Sequence, residues 1–173
     1  MRLETERLII RPMEPDDASG LFEMLSDPST WEFIGPPAVR SLEDARELVA
    51  KKAVYNEDHG FALWTVVEKA SGRPVGDCGL QLLEGGPEVE LGYHLGAAYR
   101  GRGYTTEAAR ACLRYGFEEL ALDRIVAIAW PENVASWRVM EKCGMRRVGP
   151  GFHYGHETVD YELTREEFAA LAG

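Results

Sequence analysis

Apolar and polar residues alternate in several short runs of this chain and recur at three- and four-residue spacing in others, which predicts strands mixed with helices. Arg7 to Arg11 reads as a strand, and Asp16 to Leu25 as a helix that Asp27-Pro28 stops. Ser41 precedes Leu42, Ala45, Leu48 and Val49 at helical spacing, so an N-cap and a helix to Lys52 are expected. Phe61 to Glu68 and Pro74 to Leu82 flank Ser71-Gly72 as the arms of a hairpin, and Glu88 to Leu95 adds a third strand after Gly85-Gly86-Pro87. Within that strand Val89, Leu91, Tyr93 and Leu95 share one face, expected to be core, while Glu90, Gly92 and His94 share the other, which is free to face a site. Thr106 to Leu120 reads as a helix and Arg124 to Trp130 as a β-branched strand, and two strands close the chain around Val148 and Tyr161.

The third strand feeds Tyr99-Arg100-Gly101-Arg102-Gly103-Tyr104-Thr105-Thr106, and a helix follows. The first turn of a helix carries unpaired N–H groups and partial positive charge, so it holds phosphate where the backbone can approach closely. Gly101 and Gly103 permit that approach, and Arg100 and Arg102 add charge; a surface turn with solvated arginines would look the same. A Walker loop is absent, and a dinucleotide fingerprint fails because Thr106 occupies its third glycine position. A phosphate-bearing cofactor is the functional reading. Further on, Pro131 to Met145 reads as a helix with Asn133 as N-cap and Gly144 just past its end.

These motifs carry a resemblance. The R-x-x-G-x-T run from Arg100 to Thr105 resembles the pyrophosphate loop of the GNAT superfamily of acyl-CoA-dependent N-acetyltransferases, whose pattern is Q/R-x-x-G-x-G/A. The helix after Asn133 resembles the N-x-x-S…E-K-x-G-F helix of the RimJ/RimL-like, ribosomal-protein acetyltransferase branch, with Met145 in place of Phe. Leu3 to Pro12, Asp16-Asp17-Ala18 and Asp160 to Phe168 resemble that branch's opening strand, first helix entry and closing strand. The resemblance implies an α/β (α+β) fold with a mixed, mostly antiparallel sheet, splayed at the cofactor strand and flanked by about four helices. It implies one N-acetyltransferase domain over residues 1–173, acetyl-CoA as cosubstrate without a metal, and an amine acceptor that is a protein N-terminus or a small molecule. A catalytically silent acyl-CoA-binding or sensor domain is the competing reading.

The same resemblance assigns the cofactor contacts and the acid, and the chemistry of the residues themselves suggests the rest. Arg100, Gly101, Arg102, Gly103, Tyr104, Thr105 and Thr106 would meet the pyrophosphate, mainly through backbone. His94 and Leu95 would pair with the pantetheine arm, and Asn133 would lie near it. Many members place a tyrosine acid seven residues after this Asn; here that residue is Met140, and Ser136 is the candidate acid and a cofactor contact. Glu90 leads the candidates for general base, ahead of His94, with water as a competitor. Glu107 is expected to point to solvent and favour the helix dipole. Trp31 and Phe33, in the apolar but Gly-Pro-rich stretch Trp31 to Pro37, would form a wall of the acceptor site or plug the core. His153-x-x-His156 reads as a mobile loop and not as a metal pair.

Composition narrows the partners. With 173 residues, 45% of them hydrophobic, the chain can bury one core and not two ordinary ones. Lys plus Arg is 19 against 29 Asp plus Glu, a net charge of −10 without a basic stripe, so nucleic-acid binding is not expected. An acidic surface draws cationic amines and equally serves solubility. The start lacks a signal-peptide core and no apolar run is long enough to span a membrane, which predicts a cytoplasmic protein, monomeric or homodimeric. Cys78, Cys112 and Cys143 are odd in number and lie in apolar contexts, as reduced packing thiols do.

Overall fold

The computed structural model describes residues 1–33, 35 and 39–171. Eight strands form one sheet: β1 (Leu3–Glu4), β2 (Leu8–Arg11), β3 (Leu63–Glu68), β4 (Pro74–Leu82), β5 (Val89–Leu95), β6 (Arg124–Ala129), β7 (Arg146–His153) and β8 (His156–Thr164). Their spatial order is β1-β2-β3-β4-β5-β6-β8-β7. Neighbours are antiparallel except β5 and β6, which run parallel and register only where Glu90 lies opposite Val126. Among the described residues there are five α-helices, one more than expected: α1 (Ala18–Leu25), α2 (Leu42–His59), α3 (Tyr104–Arg114), α4 (Val134–Lys142) and α5 (Arg165–Leu171).

Strand alternation sorts the sheet into two faces. Leu63 of β3 joins Met13, Leu21, Leu25, Ala45 and Val49 beneath α1 and α2. Its neighbours Trp64 and Val66 join Leu8, Leu80, Leu91, Leu113, Ile125 and Met140 in the larger cluster beneath α3 and α4. Burial of these side chains, each worth roughly 1.5–3 kcal/mol, fixes the register, because a one-residue slip would turn every one of them to the opposite face. The cysteines Cys78, Cys112 and Cys143 are buried and unbridged. Among the described residues no helix is long and apolar enough to cross a membrane.

Local chemistry sets the element ends. Ser41 caps α2 reciprocally with Asp44, as its position predicts, but the helix runs past Lys52 to His59 and stops where Gly60 turns left-handed at φ +78. Helix α3 starts at Tyr104, two residues before the expected Thr106, and widens into a π-helical turn at Tyr115–Glu119. Asp160 to Phe168 is not all strand: β8 ends at Thr164, whose side chain accepts from the Glu167 N–H while Glu167 accepts from the Thr164 N–H, opening α5. The turn Pro15–Asp17 buries Asp17, whose carboxylate takes both arms of Arg11 at 2.8 and 2.9 Å and the Thr65 hydroxyl at 2.7 Å. Of the expected loop Trp31 to Pro37, Ile34, Pro36 and Pro37 lie outside the described residues.

Candidate active site

Where β5 and β6 part beyond Glu90, a cleft of about 940 Å³ opens between them. Leu91 to Leu95 form one side, and Ile128, Ala129 and Trp130 the other. The slot joins the two faces of the sheet. Glu90 and His94 point toward α1 and α2, whereas Tyr93 reaches Ser136 on α4 across the opposite face. Tyr93 and Leu95 therefore pack half-buried against the core expected of their side of the strand, and line the cleft as well.

At the cleft's α3 end the glycine turn is arranged for an anion. Gly101 and Gly103 adopt φ +74 and +80, a left-handed backbone open to glycine and costly for other residues. The first hydrogen bond of the α3 turn is Glu107 N–H to Gly103 O, and among the described residues nothing accepts from the N–H groups of residues 101 to 106. Gly101, Gly103, Thr105 and Thr106 line the cleft beside Arg100. Six unpaired amides at a helix N-terminus fit a pyrophosphate.

The side chains of this turn depart from expectation at several places. Arg102 and Tyr104 do not line the cleft: the Arg102 guanidinium lies 5.5 Å over the Tyr99 ring, and the buried Tyr104 donates its hydroxyl to Glu68 at 2.6 Å. Arg100 donates to the Leu95 carbonyl at 3.1 Å and to Ser29 Oγ at 3.1 Å, so that carbonyl is already engaged. Glu107 does not face solvent. It accepts from Thr5 Oγ1 at 2.6 Å and the Arg7 N–H at 2.9 Å and pairs with the Arg7 guanidinium; burial opposes its charge, and these bonds, that from Thr5 first, together hold its carboxyl below the usual range. Arg7 also donates to the Arg102 carbonyl at 2.9 Å, and because C=O and N–H of a trans peptide point oppositely, this turns the Gly103 N–H away from Arg7.

At the centre, Asn133 caps α4 by accepting the Ser136 N–H at 3.2 Å. The Tyr93 hydroxyl lies 2.9 Å from the Ser136 carbonyl oxygen, to which it donates, and 3.1 Å from Ser136 Oγ. Burial raises the Tyr93 phenol well above its ordinary range. Both Asn133 and Ser136 line the cleft.

On the α2 face, register brings β4 residues opposite the two predicted ones: Gln81 faces Glu90, and Asp77 faces His94. Glu90 is only 6% exposed, and burial raises its carboxyl above the ordinary value. Its Oε2 accepts from Gln81 at 3.1 Å and from Tyr154 Oη at 3.3 Å, while Oε1 has no partner among the described residues. Gln81 Oε1 accepts from Lys52 Nζ at 3.3 Å, and burial lowers the Lys52 ammonium despite the nearby Asp77 and Glu90. His94 Nδ1 lies 2.7 Å from Asp77 Oδ1; burial opposes the charged imidazole, and the carboxylate outweighs it, raising the histidine. Sequence reading alone missed Lys52, Asp77, Gln81 and Tyr154, although the alternation that sets Glu90 and His94 on one face does the same for Gln81 and Asp77 once the hairpin register is known.

The remaining wall is aromatic. Trp31 lines the cleft and packs on the α1–α2 cluster, its Nε1 donating to the Leu25 carbonyl at 2.6 Å. Phe33 meets Trp130 edge-on at 6.5 Å, and Trp130 packs on His156 at 4.4 Å. His153 and His156 sit opposite each other across the β7–β8 turn, and His153 is held between Glu84 at 3.2 Å and Asp160 at 2.9 Å. That pair of histidines belongs to a hydrogen-bonded hairpin and not to a loop lacking structure of its own.

Comparison with known proteins gives the family and the fold. Residues 7–146 match the family model described as the acetyltransferase (GNAT) domain. A Bacillus subtilis (strain 168) protein, described as the uncharacterized N-acetyltransferase YnaD, is 36% identical over 149 residues, covering 86% of this chain and 85% of its own. A crystal structure of a GNAT-family acetyltransferase from Bacillus anthracis superposes with a TM-score of 0.82 at 34% identity, covering 96% of this chain and 99% of the other. RimL, the ribosomal L7/L12 α-N-protein acetyltransferase, solved with coenzyme A, has the same fold at 16% identity, with a TM-score of 0.82 over 95% of this chain and 98% of that one.

Proposed function

The chain belongs to the GNAT family of acetyl-CoA-dependent N-acetyltransferases, and from that premise we propose that residues 1–173 act as one RimJ/RimL-like domain that acetylates a primary amine, on a protein N-terminus or a small molecule, by direct attack in a ternary complex. The observation that carries the reading is the slot between β5 and β6, where an anion-ready helix terminus, the Ser136 hydroxyl and a buried carboxylate converge. When bound, acetyl-CoA supplies an activated thioester.

The amides of residues 101 to 106 would hold its pyrophosphate, and the β6-facing backbone of Leu95 its amide arm; the N–H and C=O of His94 are turned to Asp77 of β4, so of the two expected residues only Leu95 offers its backbone. Leu95 would contribute its side of the strand with the carbonyl left to Arg100. Glu90, through its free Oε1, would take a proton from the acceptor ammonium, which must be neutral to attack. A backbone N–H of Tyr93 to Leu95 would stabilise the developing oxyanion. Ser136 would give its proton to the departing sulfur. Trp31 and Phe33 would wall the acceptor, where an aromatic face also attracts an ammonium before deprotonation.

Amine-dependent release of free thiol from acetyl-CoA tests this, across a panel of N-terminal peptides, polyamines and amino acids. Release that rises and saturates with at least one amine is expected. Tight acetyl-CoA binding with no amine-dependent release from any of them would favour the silent acyl-CoA-binding reading instead.

A further inference from the structure

The Tyr93 side chain has no place in the roles above, yet its hydroxyl touches two atoms of the same residue, the carbonyl oxygen and Oγ of Ser136. We propose that Tyr93 is a positioning residue whose single phenolic proton decides whether the Ser136 hydroxyl is held back or released as a donor. The proposal rests on the reading of Ser136 as the acid.

The argument is one of hydrogen counting. A phenol has one proton and accepts through its lone pairs, and a serine hydroxyl likewise has one proton to give. While the Tyr93 proton goes to the Ser136 carbonyl, the 3.1 Å contact between the two hydroxyls can be filled only by the Ser136 proton, which then points at Tyr93 and away from the cleft. If the phenolic O–H rotates to Ser136 Oγ, the same contact is filled from the other side and the Ser136 proton is free to face the cleft. Both acceptors are within reach without movement of the ring. As the C–S bond breaks, the electron pair left on sulfur takes the Ser136 proton, and negative charge grows on Oγ where the Tyr93 O–H meets it; a charge-assisted hydrogen bond is stronger than a neutral one. The proton lost by the acceptor amine balances the one gained by sulfur, so Ser136 is restored from the base side or from water and Tyr93 stays a phenol throughout. Its surroundings favour that: burial disfavours a phenolate, and the Glu90 carboxylate of its own strand adds to the effect.

Tyr93→Phe keeps the ring and removes the hydroxyl. With chemistry limiting the rate, it should lower kcat about tenfold, the worth of one such hydrogen bond, with acetyl-CoA affinity unchanged and only a small drop in melting temperature from the lost bond to the Ser136 carbonyl. Since Tyr93 acts only through Ser136, the Ser136→Ala/Tyr93→Phe double variant should be no slower than Ser136→Ala alone. Replacing Tyr93 with 3,5-difluorotyrosine, which ionises at lower pH, should bring a new basic limb into the kcat profile. A wild-type kcat for Tyr93→Phe, strictly additive losses in the double variant, or loss expressed only as weaker acetyl-CoA binding would each overturn the proposal. If Ser136→Ala itself keeps full kcat, the underlying assignment of Ser136 fails first, and the two failures are told apart.

Discussion

Gln81 donates from Nε2 to Oε2 of Glu90 at 3.1 Å while its own Oε1 accepts from Lys52 Nζ at 3.3 Å. The amide is thereby oriented by a cation on one side and stabilises the charged form of Glu90 on the other. Burial still raises the Glu90 carboxyl, so as general base it should lose activity as pH falls through a value above the ordinary glutamate range near ~4.3. Glu90→Gln should abolish that acidic limb of the kcat/KM profile. Gln81→Leu removes a bond to the carboxylate and should move the limb to higher pH. An acidic limb that is unaltered in Glu90→Gln assigns the base to water or another group.

Gly103 caps α3 at φ +80, with Arg7 Nη2 3.5 Å from where a Cβ would stand. Gly103→Val forces a β-branched residue out of that conformation and turns the Gly103 amide, which should weaken acetyl-CoA binding at least about tenfold, as loss of one hydrogen bond to a charged group does. Calorimetry measures it. Unchanged affinity would remove the turn from the cofactor site.

How much of this was legible in the sequence follows from range. The glycine turn, the Ser41 and Asn133 caps and the two faces of β5 are local features, set by a residue and its near neighbours, and the structure places them where the pattern predicts. Glu107 was misread because its partner Arg7 lies 100 residues away, and no local rule pairs them. Lys52, Gln81 and Tyr154 enter the site only through α2 docking, β4–β5 register and the β7–β8 hairpin, all products of tertiary packing. The start of α5 is different: Thr164-x-x-Glu167 is a capping box that could have been recognised.

Trp31 serves core and cleft together, so Trp31→Ala should lower the melting temperature and change acceptor KM at once. Phe33 separates the two roles, because its contact is with Trp130 at the cleft. Phe33→Ala should alter acceptor KM and selectivity while melting temperature and acetyl-CoA affinity hold. A drop in stability with unchanged acceptor preference would make this segment a plug and not a wall.

The buried Asp17 pairs with Arg11 through both arms, and although burial disfavours its charge, that pairing and its further hydrogen bonds hold its pKa below the usual aspartate value. A depressed native pKa adds stability above the unfolded value of about 3.9, and that stability is lost as pH falls through the lower native value. Asp17→Asn should cost roughly 3 kcal/mol at neutral pH, because the half-buried Arg11 then keeps only the exposed Glu14 carboxylate, 3.5 Å away. The gap between the two proteins should narrow below about pH 4, as urea melts across pH would record.

Direct transfer between two bound substrates is the centre of this account, and two-substrate initial-rate kinetics with acetyl-CoA and a competent amine test it most directly. Reciprocal plots that intersect, together with an enzyme that carries no acetyl group after incubation with acetyl-CoA alone, are the predicted result. Parallel lines and a covalently acetylated enzyme, the marks of a ping-pong route, would contradict it.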